Sequence, residues 1–428
     1  MTPRIATAAV ALTAIALVAT GCSSSAPSGA SSSPMPTDEM PTATYTPPSG
    51  AVTTPSGDIV LSNVQPNDGP APVAEFIATA AKSVDVSIYR IDSTFTPVID
   101  ALTTAAKSGI PVRVSISRQL VGADNPPAGN SAQLATIAQL KALGIQAALS
   151  RPEFHYGHEK SIVIDAGTPQ AKAMVADWNL QNSYFGPSQY GPVGARGFAV
   201  IDSNPADVAM IAAYFNANWP NYSPWPVSNR ASLVWSPSGV QFSPVGNSVA
   251  ALRNLMSGAK RTLDIYAEYI EPTSFMLPDV IERAKAGVKV RIVANSSGQS
   301  PETVTQLRDA GVDIVFDPTN TIDPSATMFV HAKSVIVDGD EPEARAFVGS
   351  QNQFLNESLE AILELGTLVT DRRSVATIQQ TFDTDFSRST KTQASPSPSV
   401  STSPAPSTSP ASSVTTSGST SPSATSAR

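Results

Sequence analysis

His158-Glu159-Lys160-Ser161-Ile162-Val163-Ile164-Asp165 and, 173 residues later, His331-Ala332-Lys333-Ser334-Val335-Ile336-Val337-Asp338 are one pattern written twice. In each copy a lysine stands two residues after the histidine and an aspartate seven after it. An asparagine follows at +21, as Asn179 and Asn352. The chain has three histidines and two of them head these stretches, which chance does not arrange on so rare a residue. The aliphatic run between Lys and Asp reads as a short buried strand. Side chains two apart on a strand share a face, so His158 projects with Lys160 and His331 with Lys333. Asp165 and Asp338 fall on the opposite parity and by that reading anchor structure. Asn179 and Asn352 lie on the returning segments, where they come back beside the lysines.

The surroundings repeat too. Residues 73–114 read as a helix, a strand near 84–89, a second helix and then Gly109-Ile110-Pro111-Val112-Arg113-Val114. Residues 249–293 follow the same plan and close on Gly287-Val288-Lys289-Val290-Arg291-Ile292. Each copy continues with a helix ending in a glycine turn, at Gly144 and Gly311. Gly109 and Gly287 read as turn glycines before strands, since no Gly-x-Gly-x-x-Gly surrounds them. Such a repeat predicts an α/β fold of two pseudo-symmetric α/β/α sandwich halves. Each half is expected to hold a mixed, mostly parallel β-sheet, and the two to share one active site at their interface. The halves are assigned to residues 58–225 and 226–388, joined near Trp219 to Asn229, where Trp219, Tyr222 and Trp225 are expected to cover the seam.

The flanks are of another kind. In the 428-residue chain, 23–57 and 389–428 are built almost wholly of Ser, Thr, Pro, Ala and Gly, and read as a disordered linker and tail. Residues 1–22 hold one positive charge, Arg4, an apolar run from Ile5 to Val18, then Ala19-Thr20-Gly21 and Cys22, the chain's one cysteine. This reads as a signal peptide with a lipobox-like end. Cys22 is then the lipidation site, the linker a tether, and the protein exported and lipid-anchored on the extracytoplasmic face of the cell membrane; the alternative is a secreted protein. One cysteine excludes an intramolecular disulfide and a multi-cysteine metal site. The 58–388 core carries a net charge of −9, the opposite sign to a dedicated nucleic-acid binder, although a local basic groove is still allowed.

One half thus offers an imidazole, an ammonium and an amide, and two halves face to face offer two of each. Lys160, Lys333, Asn179 and Asn352 suit the charge that develops on a phosphoryl group. One neutral histidine attacks phosphorus while the other, protonated, donates to the leaving oxygen, and the roles reverse when water attacks. The scheme calls for no metal and no cofactor.

At this point the chain resembles the phospholipase D superfamily, whose signature is His-x-Lys, four residues, Asp, then a downstream Gly-Ser-x-Asn. The resemblance covers the whole core and implies a bilobed fold, a covalent phosphohistidine intermediate and hydrolysis or transfer at phosphodiesters. It counts Asp165 and Asp338 within the catalytic motif. The second copy matches fully through Gly349-Ser350-Gln351-Asn352, and Glu364 takes the place of the family's histidine-orienting carboxylate. In the first copy Ala176-Asp177-Trp178-Asn179 replaces Gly-Ser-x-Asn, and alignment on Gly197 and Asp202 puts Ala195 where a second orienting acid belongs. By the family analogy His158 is the nucleophile, His331 the acid/base and Glu364 the orienter.

His155 reads as a pocket-wall or surface residue. Trp178, Tyr184, Phe185 and Tyr190 read either as an entrance lining or as ordinary core. The expected function is that of an exported phospholipase D-like phosphodiesterase, a monomeric pseudo-dimer in one chain. An acidic core at a membrane surface argues for phospholipid or a small phosphodiester over polynucleotide. The alternatives are an extracytoplasmic nuclease of the same superfamily and a non-catalytic surface protein that binds phosphate-containing ligands.

Overall fold

The computed structural model describes residues 57–120, 130–154, 156–186, 194–220, 222–238 and 246–393. Cys22, the 1–22 leader, nearly all of both Ser/Pro-rich flanks, His155 and Tyr190 lie outside the described residues.

The first half runs β1 (Ile59–Gln65), α1 (Ala71–Ala78), β2 (Val84–Ile88), α2 (Thr96–Lys107), β3 (Val112–Ile116), α3 (Ser131–Ala142), β4 (Gln146–Leu149), β5 (Ser161–Ile164), β6 (Lys172–Ala176), β7 (Ala195–Asp202) and α4 (Pro205–Asn218). The second runs β8 (Leu233–Ser236), α5 (Ser248–Ser257), β9 (Thr262–Ala267), α6 (Leu277–Lys285), β10 (Lys289–Ala294), α7 (Pro301–Asp309), β11 (Asp313–Phe316), β12 (Phe329–Val330), β13 (Val335–Val337), β14 (Arg345–Gly349), α8 (Asn356–Glu360), β15 (Glu364–Val369) and α9 (Arg372–Ser387).

The strands form two sheets of the same order, β1-β7-β6-β5-β2-β3-β4 and β8-β15-β14-β13-β9-β10-β11. Both are mixed, as the repeat predicts, but the expectation of mostly parallel pairing is corrected. Only β2–β3–β4 and β9–β10–β11 run parallel, and the other neighbours within each of these paths are antiparallel. The reason is loop length. Seven residues separate β5 from β6 and seven separate β13 from β14, too few for the crossover that a parallel pair requires.

Local sequence accounts for the elements. In α2 a proline opens the first turn, Val98, Ile99, Leu102 and Ala105 form the buried stripe, and Gly109 at φ +82° reverses the chain. Asp85 of β2 is buried but ion-paired with Arg113 of β3 at 2.6 Å, and Asp264 of β9 repeats this with Arg291 of β10 at 2.7 Å. Strand alternation then divides the apolar residues. Ile162, Ile164 and Met174 join the cluster holding Val73, Phe76, Val98, Leu102 and Leu140, residues of α1, α2 and α3. Val163 and Val175 point the other way, into a core shared with Tyr266, Ile336, Val348, Leu365 and Phe382 of the second half. Tyr214 stacks on Trp235 across this seam at 3.6 Å. Each fully buried aliphatic side chain contributes about 1.5–3 kcal/mol, so the shared core is a substantial tie between the halves.

Of the three aromatics assigned to the seam, Trp225 joins the shared core against Phe154 and Tyr214. Trp219 instead packs on Phe215 and under the Arg113 guanidinium within the first half, and Tyr222 stays exposed. Their spacing along the linker told nothing of which face each would meet.

Candidate active site

β5 and β13 begin just after the two lysines, so each His-x-Lys segment is the extended lead-in to a strand rather than the strand itself. Each is held by the opposite half. The amides of His158 and Glu159 both donate to the Leu363 carbonyl, at 2.8 and 2.9 Å. The His331 amide donates to the Arg196 carbonyl at 3.2 Å, after β12 has paired with β7. Both lysines turn back toward their own histidine: Lys160 Nζ donates to the His158 carbonyl at 2.7 Å, and Lys333 Nζ to the His331 carbonyl at 2.6 Å. The ammonium groups and imidazoles of the two halves lie close enough to perturb one another.

Behind the histidines the halves differ. His158 Nδ1 donates to the Glu364 carboxylate at 2.8 Å, and the Ser358 hydroxyl donates to the same carboxylate. That leaves the Nε2 lone pair of His158 for chemistry. The ladder identifies the corresponding position in the first half. Ala176 pairs with Ala199 as Gly349 pairs with Gly366, and Phe198 bonds Asp177 as Leu365 bonds Ser350. The counterpart of Glu364 is therefore Gly197. The expectation that placed it at Ala195 is corrected by two residues, because the loop before β7 is longer than the loop before β15.

Asp177 explains why this position is bare. A Cβ on Gly197 would come within 2.4 Å of Asp177 Oδ1. The Asp177 carboxylate is fully buried and accepts from the Phe198 amide at 3.0 Å with each oxygen. The first half thus carries its acid one strand over, and His331 gains no carboxylate behind it. Among the described residues His331 Nδ1 is buried without a hydrogen-bond partner.

In front of the histidines they differ again. β13 pairs with β9 as β5 pairs with β2, which makes Glu268 the counterpart of Tyr89. Tyr89 sets its ring edge-on to His158, with centroids 4.8 Å apart. Glu268 bonds Lys333 Nζ at 2.5 Å and lies 3.7 Å from His331 Nε2. Tyr184 closes on the His331 ring at 4.7 Å, and Phe329 approaches it at 6.2 Å. Sequence reading passed over Tyr89 and Glu268. Their one signal was position: each directly follows a buried strand, at the end from which the motif enters.

Burial governs the ionisation of the site. It lowers His158, against which Glu364 pushes back, and it lowers Lys160 to about 7. His331 is held well below the ordinary histidine value by burial and by the Lys333 and Lys160 ammoniums. Asp177 is pushed up to about 8 and Glu159 to about 7, both by burial.

The remaining motif residues are placed as follows. Asn179 Nδ2 donates to the Tyr184 hydroxyl at 3.1 Å, and the Asn352 backbone N–H donates to Ser358 Oγ at 2.9 Å. The Oδ1 atoms of both asparagines are buried and unbonded among the described residues. Asp165 and Asp338 lie at the far ends of β5 and β13, at φ +56° and +52°. Asp165 accepts from the amides of Ala81, Lys82 and Ser83, and Asp338 from those of Lys260, Arg261 and Thr262. Both tie a helix–strand turn to the sheet, away from their histidines. Ser350 also sits outside the reacting centre: its hydroxyl donates to the Leu365 carbonyl and accepts from the Leu365 amide, beside Glu364. Trp178 and Phe185 are core, in ring contact at 4.8 Å, whereas Tyr184 belongs to the site.

A family model described as "Cardiolipin synthase, PLD-like domain" matches residues 73–219 and 252–386. The virion nicking-joining enzyme of vaccinia virus (strain Copenhagen) is 30% identical over 150 residues, and the match spans 33% of this chain and 33% of that protein. The phosphatidylserine synthase structure from Haemophilus influenzae Rd KW20 matches with a TM-score of 0.57 at 11% identity, over 79% of this chain and 89% of that one. The polyphosphate kinase structure from Porphyromonas gingivalis matches with a TM-score of 0.56 at 15% identity, over 76% and 46%. At these identities the two structures speak for the fold alone.

Proposed function

The chain belongs to the phospholipase D-like family, whose superfamily acts on phosphodiester bonds, and on that premise we propose that it cleaves or transfers phosphodiester head groups through a phosphohistidine at His158. The observation that carries this reading is the Glu364 carboxylate on His158 Nδ1, which aims Nε2 at a centre shared with a second histidine and two lysines. His158 Nε2 attacks phosphorus, the bond from phosphorus to the leaving oxygen breaks, and the Nε2 proton of His331 passes to that oxygen. Water, or another alcohol, then attacks phosphorus and returns a proton to His331 as the P–N bond breaks. Lys160, Lys333 and the amides of Asn179 and Asn352 hold the non-bridging oxygens.

The substrate we propose is a phospholipid or small phosphodiester, met at an extracytoplasmic membrane surface through a lipid on Cys22. The acidic core and the lone cysteine after a short apolar run support this. A second reading, a nuclease, is favoured by the stretch shared with the viral nicking-joining enzyme. The test gives the full chain phosphatidylcholine vesicles and a single-stranded oligonucleotide in parallel, beside His158→Ala. Choline release that disappears in the variant supports the lipid reading. Nucleotide release alone moves the assignment to the nuclease, and release of neither overturns the lipid and nuclease readings and leaves a small phosphodiester or a non-catalytic phosphate-binding surface protein. Cys22→Ser is expected to free the protein from membranes, and an unchanged membrane fraction overturns the anchor.

A further inference from the structure

The first half sets Gly197 where the second sets Glu364, so no carboxylate behind His331 favours its protonated form. Yet an acid that protonates a leaving oxygen must itself hold a proton when substrate arrives. The groups around the ring mostly work against that. Lys333 lies on its own segment, and Lys160 and His158 face it from the first motif. Tyr184 presents an uncharged ring, and from Asp177 the backbone carbonyl, not the carboxylate, is the neighbour that favours the charged ring. Glu268, at the end of β9, is the carboxylate within ion-pairing reach of His331 among the described residues, 3.7 Å from Nε2.

We propose that Glu268 is the positioning residue for His331: approaching from the front of the ring, it replaces the back-side carboxylate that the first half lacks and favours a proton on Nε2 against the burial and the ammoniums that oppose it, the proton that a leaving oxygen then takes. The inference rests on the reading of His331 as the acid/base. Glu268 is built for the task. It is 8% exposed, its backbone carbonyl accepts from Gln299 Nε2 at 3.1 Å, and its carboxylate also bonds Lys333. The Lys333 contact gives it a second consequence. When phosphate oxygens draw Lys333 away, Glu268 loses its stronger cationic partner and turns its full charge on the imidazolium.

The test needs no substrate. With three histidines in the chain, the imidazole resonances can be followed by NMR across pH and His331 assigned by its loss in His331→Ala. In Glu268→Gln the His331 midpoint is expected to fall by about one pH unit or more, a tenfold loss in proton affinity, while that of His158 moves less. Glu268→Asp keeps the charge but withdraws it by one methylene, and is expected to lower the midpoint by a smaller amount. Should the glutamine variant fail to fold because Lys333 is left unpaired, the aspartate variant decides on the same criterion. An unchanged His331 midpoint overturns the proposal. Because the titration is independent of turnover, a chain inactive on every phosphodiester would refute the proposed function without touching this result.

Discussion

In the second half a glutamate on β15 reaches back to fix His158, and a serine just after β14 bonds the backbone of β15 beside it. In the first half those two positions hold glycine and aspartate, and His331 is left to a carboxylate from the opposite side. Yet the halves agree closely in backbone architecture. Strand order, the buried Asp–Arg pairs and the aspartates that cap the helix–strand turns all recur. The two halves agree in the residues that hold the backbone and differ in the acids that flank the histidines. In the mechanism proposed above the two histidines start in opposite protonation states, and identical surroundings would give them the same one.

The comparison can be broken most decisively through the histidines. His158→Ala is expected to cost about 10⁴-fold in turnover whatever the leaving group, whereas His331→Ala costs about 10²–10⁴-fold with an alkyl leaving oxygen. With an aryl diester, whose leaving oxygen needs no proton, the His331→Ala loss should shrink to a small factor. Equal losses on both diesters in steady-state assays would make the halves interchangeable. Next, Gly197→Glu is expected to destabilise the fold by about 4 kcal/mol, because it drives a second carboxyl into the space of Asp177. Adding Asp177→Ser, which copies the second half, should restore most of the loss in denaturant unfolding.

Asp165→Ala and Asp338→Ala sharpen the other side of the comparison. Each removes a carboxylate that accepts three backbone amides, so each should cost about 3 kcal/mol, by equal amounts, with turnover per folded molecule unchanged. The smallest effect concerns Glu159, whose place in the second half is taken by Ala332. Burial raises the Glu159 carboxyl from 4.5 to about 7, so the folded state holds its proton more tightly than the unfolded state. Its contribution to stability is complete below pH 4.5 and is lost as pH rises toward 7. Relative to Glu159→Gln, the parent should lose on the order of 2 kcal/mol across that window. Parallel stability profiles would show that Glu159 does not ionise differently in the fold.

Much of this was legible in the sequence because the chemistry fixes its own spacing. His and Lys share a lead-in segment and Asn follows just beyond the next strand, at the same offsets in both copies, so all six residues stand out. Parity along β5 and β13 likewise set Asp165 and Asp338 apart. What failed did so for geometric reasons. Gly197 was hidden because the loop from Asn179 to β7 outruns the loop from Asn352 to β15, and only hydrogen-bond register shows which residues correspond. Glu268 was hidden because it aligns with a tyrosine, so the repeat that revealed the motif argued against looking there. Helix–strand alternation by itself points to parallel pairing, and the seven-residue links before β6 and β14 are what turn those neighbours antiparallel.

One feature of the backbone governs when the site comes into being. The amide of His158 is tied to the carbonyl of Leu363, and its ring to Glu364, more than two hundred residues downstream. A nascent chain that has completed every strand of the first half still lacks both of these partners of His158. His331, in turn, docks on Arg196, which by then is waiting. An interrupted or clipped chain lacking β15 therefore keeps His158 but loses both the carbonyl that holds its amide and the carboxylate that holds its ring.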